Sequence, residues 1–287
     1  MNDVEFDPHA GIALTDEESA YIRGNRTPVV GSLLMSTSKY LNSPNFRDLY
    51  AQMGLRRVGR EVSAAYLIPD VNKAMDEVTD YPAVLARIAA ARKRLPEFDQ
   101  WLEERFVSDI QPEHIKDCAP GTLGSWIYDF ITNSGMKLDI MFLGEPKNDF
   151  QYINKRRMQT HDILHMVTGL DTSLVGEACL NIANVMSEAN YFGDDELFGD
   201  LNRGAIFLAT TNLMRNACHY PSVVPTQLEG FARGYALGSK QKKPLFMINW
   251  EPYFDWKIED IREEFSFQDG PPDGSWTWTG SAAMDAE

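Results

Sequence analysis

The chain has 287 residues and a formal net charge of −15 at pH 7, an acid excess that excludes general attraction to nucleic acid and to anionic lipid. With 44% hydrophobic and 24% charged residues it has the make-up of one large soluble domain with ample buried core. Cys118, Cys179 and Cys218 have neither zinc-finger spacing nor a disulfide framework, which points to a reducing, cytoplasmic setting.

Residues 1–27 read as an irregular acidic leader without a signal core or arginine-rich transit character. From Pro28, VVGSLLMSTSKYL predicts a core helix, with a lipid-cavity wall as the alternative. Residues 45–67 predict a helix broken near Gly54 and Gly59, with Arg56, Arg57 and Arg60 on a solvated basic face. Residues 70–106 alternate apolar and charged positions at helical spacing, Pro82 and Pro96 marking first turns. A short helix over 112–118 follows. The turn at Pro120-Gly121 then leads to Thr122, a cap for the next helix.

Residues 156–177, RRMQTHDILHMVTGLDTSLVGE, carry the densest chemistry. On a helix His161 and His165 stand one turn apart on one face, with Asp162 inside the same arc of roughly 100°. Gly169 ends that helix and Thr172 or Ser173 caps the next, which turns Glu177 back towards the histidines. Two imidazoles and two carboxylates make a four-ligand set for one divalent ion. The plainer account has His161 and His165 as buried, singly hydrogen-bonded residues and Glu177 as a carboxylate at a helix N-terminus.

Beyond the hairpin, residues 174–191, 201–217 and 225–238 predict further helices. Gly230, Gly234 and Gly238, at four-residue spacing, either admit a close neighbour or leave room for a ligand. PLFMINW reads as extended, EPYFDWKIEDIREEF as amphipathic helix, and 268–287 as a flexible tail from which Trp276 and Trp278 can dock. Cys179 and His219 read as packing and structural residues. No apolar run approaches the roughly 18 residues of a membrane span. The fold class is all-α: a single helical domain over 28–267, a metal-binding hairpin, and irregular extensions.

His161-Asp162-Ile163-Leu164-His165, the next eleven residues and Glu177 resemble the metal-binding signature of the coenzyme Q biosynthesis protein four family. The turn 119–124, Arg156, Gly169, Gly176, Gly234, Gly238, Lys243-Pro244-Leu245, Trp250-Glu251 and Arg262 follow the same pattern in order, over roughly residues 110–267. This chain resembles a divergent, bacterial-type member. It has Met158 where the family usually has arginine, Gln159 where it has glutamate, and Ile140 and Met141 after Asp139 where arginine is common.

The resemblance implies a role in ubiquinone biosynthesis: replacement of the carboxylate at ring carbon 1 of a polyprenylated 4-hydroxybenzoate-derived intermediate by hydroxyl. It implies one divalent metal ion, zinc first and iron second, held by His161, Asp162, His165 and Glu177. Arg156, or else Arg157, would steer the carboxylate, and Gly230, Gly234 and Gly238 would line a groove for the isoprenoid tail. The implied partners are other ubiquinone-biosynthesis enzymes, a second copy in a homodimer, and the inner membrane by peripheral contact. A non-catalytic scaffold presenting a lipid or quinone intermediate is the competing reading. A phosphohydrolase built on a His-Asp pair is weaker, since His114 and His219 lack matching aspartates.

Overall fold

The computed structural model describes residues 38–57, 68–134, 144–193 and 195–280. The expectations for 1–27 and for 28–37 lie outside these residues, as do Gly59, Arg60, Asp139, Ile140 and Met141. In chain order the helices are α1 Lys39–Asn42, α2 Pro44–Leu55, α3 Ile68–Val78, α4 Tyr81–Arg94, α5 Pro96–Glu104, α6 Pro112–Ile115, α7 Leu123–Ser134, α8 Asp149–Thr168, α9 Leu174–Phe192, α10 Asp195–His219, α11 Val224–Ser239 and α12 Ile258–Glu264. Among the described residues regular structure is helical, and one isolated antiparallel bridge joins Thr122 to Lys257. The all-α expectation holds.

Local chemistry sets most boundaries. Proline stands in the first turn of α2, α4 and α5, where its missing N–H costs nothing. Ser43, Asp80, Asn148 and Ser173 cap α2, α4, α8 and α9 through their side chains. Helix α2 ends at Leu55, with Arg56 extended, so the break expected near Gly54 is present. One segment differs from the sequence expectation. PLFMINW is not extended: Leu245–Met247 forms a 3₁₀ turn with all three residues buried, whereas a half-buried strand alternates.

Helix α9 is the central rod. α11 lies along it, α10 covers a second side, and α8 faces it from a third. The main core gathers Leu164, Val175, Leu180, Leu237 and Trp250 between these helices and α12. A second cluster (Ile88, Phe98, Tyr152, Phe192) packs α4 and α5 on the far ends of α8 and α9, and a third joins α2 and α3 to Phe207 of α10. Trp276 is buried and its backbone N–H donates to Asp171 Oδ2 at 3.2 Å, so residues beyond 268 rest on the hairpin turn, while Trp278 stays exposed. No helix among the described residues is long and apolar enough to cross a membrane.

The glycine row is a contact between helices. A Cβ on Gly230 would overlap Cys179 Sγ, one on Gly234 would stand 2.5 Å from the Cys179 carbonyl oxygen, and one on Gly238 would overlap the Ala183 carbonyl oxygen. Helix α9 fills the space that the groove expectation assigned to an isoprenoid tail, and Cys179 is buried packing. Because the obstruction at Gly238 is backbone, Gly238→Val is expected to cost about 1–3 kcal/mol or more, read as a lower midpoint in denaturant or heat.

Candidate metal centre

A tightly held turn brings the two hairpin helices together. Asn148 caps α8 by accepting from Gln151 N–H at 2.9 Å. At its other end Gly169 takes the left-handed conformation (φ 74°) and donates to the His165 carbonyl at 3.1 Å. The Arg262 guanidinium donates to the Met166 and Val167 carbonyls at 3.1 and 2.9 Å and pairs with Asp273 at 2.7 Å. That places a cation at the negative end of α8. Asp171 accepts from Ser173 N–H at 3.1 Å, and Ser173, the expected cap, accepts from Gly176 N–H at 3.2 Å. Gly176 is required here, since a Cβ would overlap the Asp171 carbonyl.

The turn delivers Glu177 to the histidines. His161 Nε2 lies 3.3 Å from Glu177 Oε2, and His165 Nε2 lies 3.4 Å from Glu177 Oε1. The three ligand atoms fall within 4.8 Å of one another. Ligand bonds of about 2.0–2.2 Å at a tetrahedral angle put neighbouring donors roughly 3.3–3.6 Å apart, which matches the two His–Glu separations. His165 Nδ1 donates to the Leu170 carbonyl, which leaves Nε2 as a lone pair aimed at Glu177. That Nε2 is buried and makes no hydrogen bond, with Glu177 Oε1 3.4 Å away. A buried lone pair facing a carboxylate needs a cation or a proton between them. The donor set therefore fits a divalent ion.

Asp162 stands elsewhere than the four-ligand expectation had it. Its Oδ1 is 3.1 Å from His161 Nδ1, on the outer side of the ring, and it is not among the converging atoms. A carboxylate there fixes the imidazole's tautomer and direction. Burial opposes charge on His161, but Asp162 and Glu177 outweigh it and push its pKa up to about 10. Burial likewise works to raise Glu177, yet His161 and His165 hold it well below the usual carboxylate range. In the metal-free chain a proton on His161 thus balances the acids.

Neither arginine offers a free guanidinium. Arg156 is buried and donates to Ser108 Oγ at 2.8 Å, Gln159 Oε1 at 3.1 Å and the Ile248 carbonyl at 2.9 Å. Five residues before His161, it points away from the histidine face. Arg157 does share that face, but it pairs with Glu188 of α9, donates to the Leu201 carbonyl at 2.5 Å and stacks on Phe246. Glu188 is 1% exposed and also accepts from Asn202 at 2.8 Å. Burial raises its carboxyl, with Arg157 and Asn202 opposing. The sequence reading missed this clamp, although Glu188 follows Glu177 by three helical turns and Arg157 precedes His161 by one.

Two outcomes follow. Each divalent ion is expected to displace the His161 proton, so affinity rises towards tenfold per pH unit between about pH 7 and 9 and levels near 10. Calorimetry in buffers of different ionisation enthalpy should count one proton released. Glu188→Ala, which leaves the half-buried Arg157 without its carboxylate, is expected to cost about 1–3 kcal/mol, with Arg157→Met/Glu188→Leu recovering most of it in chemical denaturation.

The geometry agrees with the comparisons. The family model described as Coenzyme Q (ubiquinone) biosynthesis protein Coq4 matches residues 69–192, which include the whole hairpin. The mitochondrial ubiquinone biosynthesis protein COQ4 homolog of Aedes aegypti is 24% identical over 210 residues, 69% of each chain. Its Drosophila erecta counterpart is 26% identical over 161 residues, 55% of this chain and 54% of its own length. This chain thus spans about half of the Drosophila relative. A crystal structure of a Nostoc punctiforme protein, provisionally assigned to ubiquinone biosynthesis, has the same fold at a TM-score of 0.57 and 20% identity, over 77% of this chain and 96% of that one. Through residues 69–192 and the hairpin they contain, the chain is similar to the Coq4 family.

Proposed function

We propose that this chain is a metal-dependent enzyme of ubiquinone biosynthesis that removes the carboxylate at ring carbon 1 of a polyprenylated 4-hydroxybenzoate-derived intermediate and leaves a hydroxyl. The relatives supply the pathway. The observation that carries the chemistry is the half-open cluster: His165 is buried, but the side chains of His161 and Glu177 are 31% and 40% exposed. Structural metal sites are closed by protein ligands, whereas catalytic ones keep an open position. With Asp162 behind His161, the inward donors reduce to two histidines and one carboxylate. That set serves open zinc sites and also ferrous sites that activate oxygen.

Loss of carbon dioxide directly from an aryl ring would leave an unstable aryl anion. Attack at carbon 1, assisted by electrons of the para-hydroxyl, avoids it. The overall change, carboxylate out as carbon dioxide and hydroxyl in from water, is a two-electron oxidation, with dioxygen as the acceptor reduced to hydrogen peroxide. When bound, the ion supplies Lewis-acid stabilisation of charge on a substrate oxygen. The protein's part is to hold the donors: Asp162 orients His161, the Leu170 carbonyl orients His165, and the turn at Gly169–Ser173 sets Glu177. Other ubiquinone-biosynthesis enzymes and a membrane surface belong to this reading as partners.

One observation favours a second reading, a non-catalytic scaffold presenting the lipid intermediate: both arginines expected to steer a carboxylate are already engaged. Single-turnover conversion of the carboxylated intermediate by the pure, metal-loaded chain separates the two. The enzyme reading expects a product with hydroxyl in place of carboxylate, lost in a folded His161→Ala variant and on chelation, and restored by metal. Tight binding of the intermediate without conversion by zinc- or iron-loaded wild type selects the scaffold.

A further inference from the structure

Helix α9 carries a polar stripe that the ligand set does not use. At about 100° per residue, Glu177, Asn181, Asn184 and Glu188 fall within an arc of roughly 60°. Most of the remaining face is buried and apolar, with Val175, Cys179 and Ala183 in the core. Both asparagines are half-buried. Two cross-helix contacts bracket them: His161 and His165 with Glu177 at one end, Arg157 with Glu188 at the other. The antiparallel register between those contacts sets Asn181 and Asn184 opposite the stretch of α8 that holds Met158. Half-buried Ala205 and Leu208 of α10 stand on the third side, since α10 joins the same seam through Asn202 to Glu188 and through Asn212 to the Leu174 carbonyl at 3.1 Å.

Bracketed between a metal cluster and a neutralised ion pair, this strip has no free charge. It has two amides, a thioether and apolar walls. Asn184 Nδ2 donates to the Leu180 carbonyl at 3.0 Å, so its Oδ1 is left to accept. Along the helix axis Asn181 lies about 6 Å and Asn184 about 10 Å beyond Glu177, the range of one aromatic ring with an oxygen at each end.

We propose that Asn181 and Asn184 are specificity residues that hold a neutral ring oxygen, a phenolic hydroxyl, on the side of a metal-bound aromatic acid away from the metal. Asn184 Oδ1 accepts the hydroxyl proton, and the Asn181 amide donates to the hydroxyl oxygen. The inference rests on the metal reading above and adds what recognises the far end of the ring. Sites built to hydrogen-bond a hydroxyl reject analogues that lack it, because their own polar groups are then left unpaired.

The test uses the full chain loaded with cobalt(II) in place of the native ion, titrated with benzoate and with 4-hydroxybenzoate while the visible cobalt spectrum is followed. Wild type is expected to bind 4-hydroxybenzoate at least about tenfold more tightly than benzoate. Asn181→Leu and Asn184→Leu are expected to reduce that preference to about twofold. If benzoate perturbs the spectrum but the hydroxyl adds nothing in wild type, the amide proposal fails and the metal reading stands. It fails equally if the preference survives in both variants. If cobalt gives no bound spectrum, the metal reading fails first. The wild-type comparison decides even where a variant does not fold.

Discussion

The reach of one glutamate across a short turn is the constraint on which this structure depends. Glu177 must meet two imidazoles that a separate helix presents, and it does so with one oxygen to each. Nothing in the apolar core demands that arrangement. Lone pairs on His165 Nε2 and on the carboxylate confront one another, an arrangement that a cation or a proton between them relieves. The cost is met by fixing the turn from every side: Gly169 by its left-handed backbone, Arg262 on the last carbonyls of α8, and Asp171 on Ser173 and Trp276. A site whose donors must agree to within a fraction of an ångström cannot be left to a loop that breathes.

The position of α9 is held by different means on its different sides. Against α11 it is held by shape, since three glycines let the two backbones come close and leave no gap to collapse into. Against α8 it is held by charge, through half-buried Arg157 and a Glu188 too deeply buried to stand alone. Against α10 it is held by amides that reach carbonyl and carboxylate oxygens. Van der Waals contact sets spacing, whereas directed polar contacts also set register along the helix axis. The contact of Glu177 with both histidines needs both, because a slip of one residue on α9 would rotate Glu177 by about 100° away from them.

Much of this was legible in the sequence where a residue type has one dominant physical use. Proline in first turns, Gly169 after α8 and Ser173 before α9 gave the hairpin its ends, and the spacing of His161 and His165 gave it a face. What was not legible depended on partners distant in the chain. Gly230, Gly234 and Gly238 read equally as a ligand groove or a helix contact, because a missing side chain says only that something is close. Arg156 and Arg157 looked available for a substrate because their partners, the Ile248 carbonyl and Glu188, are 92 and 31 residues away. PLFMINW had strand-like composition but lay between two buried surfaces, where an apolar run turns as readily as it extends.

Asp162 marks the finest limit of that reading and the one with the largest chemical consequence. Helical periodicity places it within reach of the same face as His161, and no spacing rule separates a carboxylate that binds an ion from one that grips the imidazole beside it. The difference is a rotation of one side chain, yet it decides how many positions around the ion the protein occupies. With Asp162 turned inward, four protein donors would close a tetrahedral site and favour a structural ion. With Asp162 on His161 Nδ1, three donors remain and the cluster keeps an open side. The outward turn also strengthens the remaining ligand, because an imidazole that donates to a carboxylate is a better electron donor through its other nitrogen. One hydrogen bond, internal to two adjacent residues, therefore decides whether one carboxylate or two converge on the histidines.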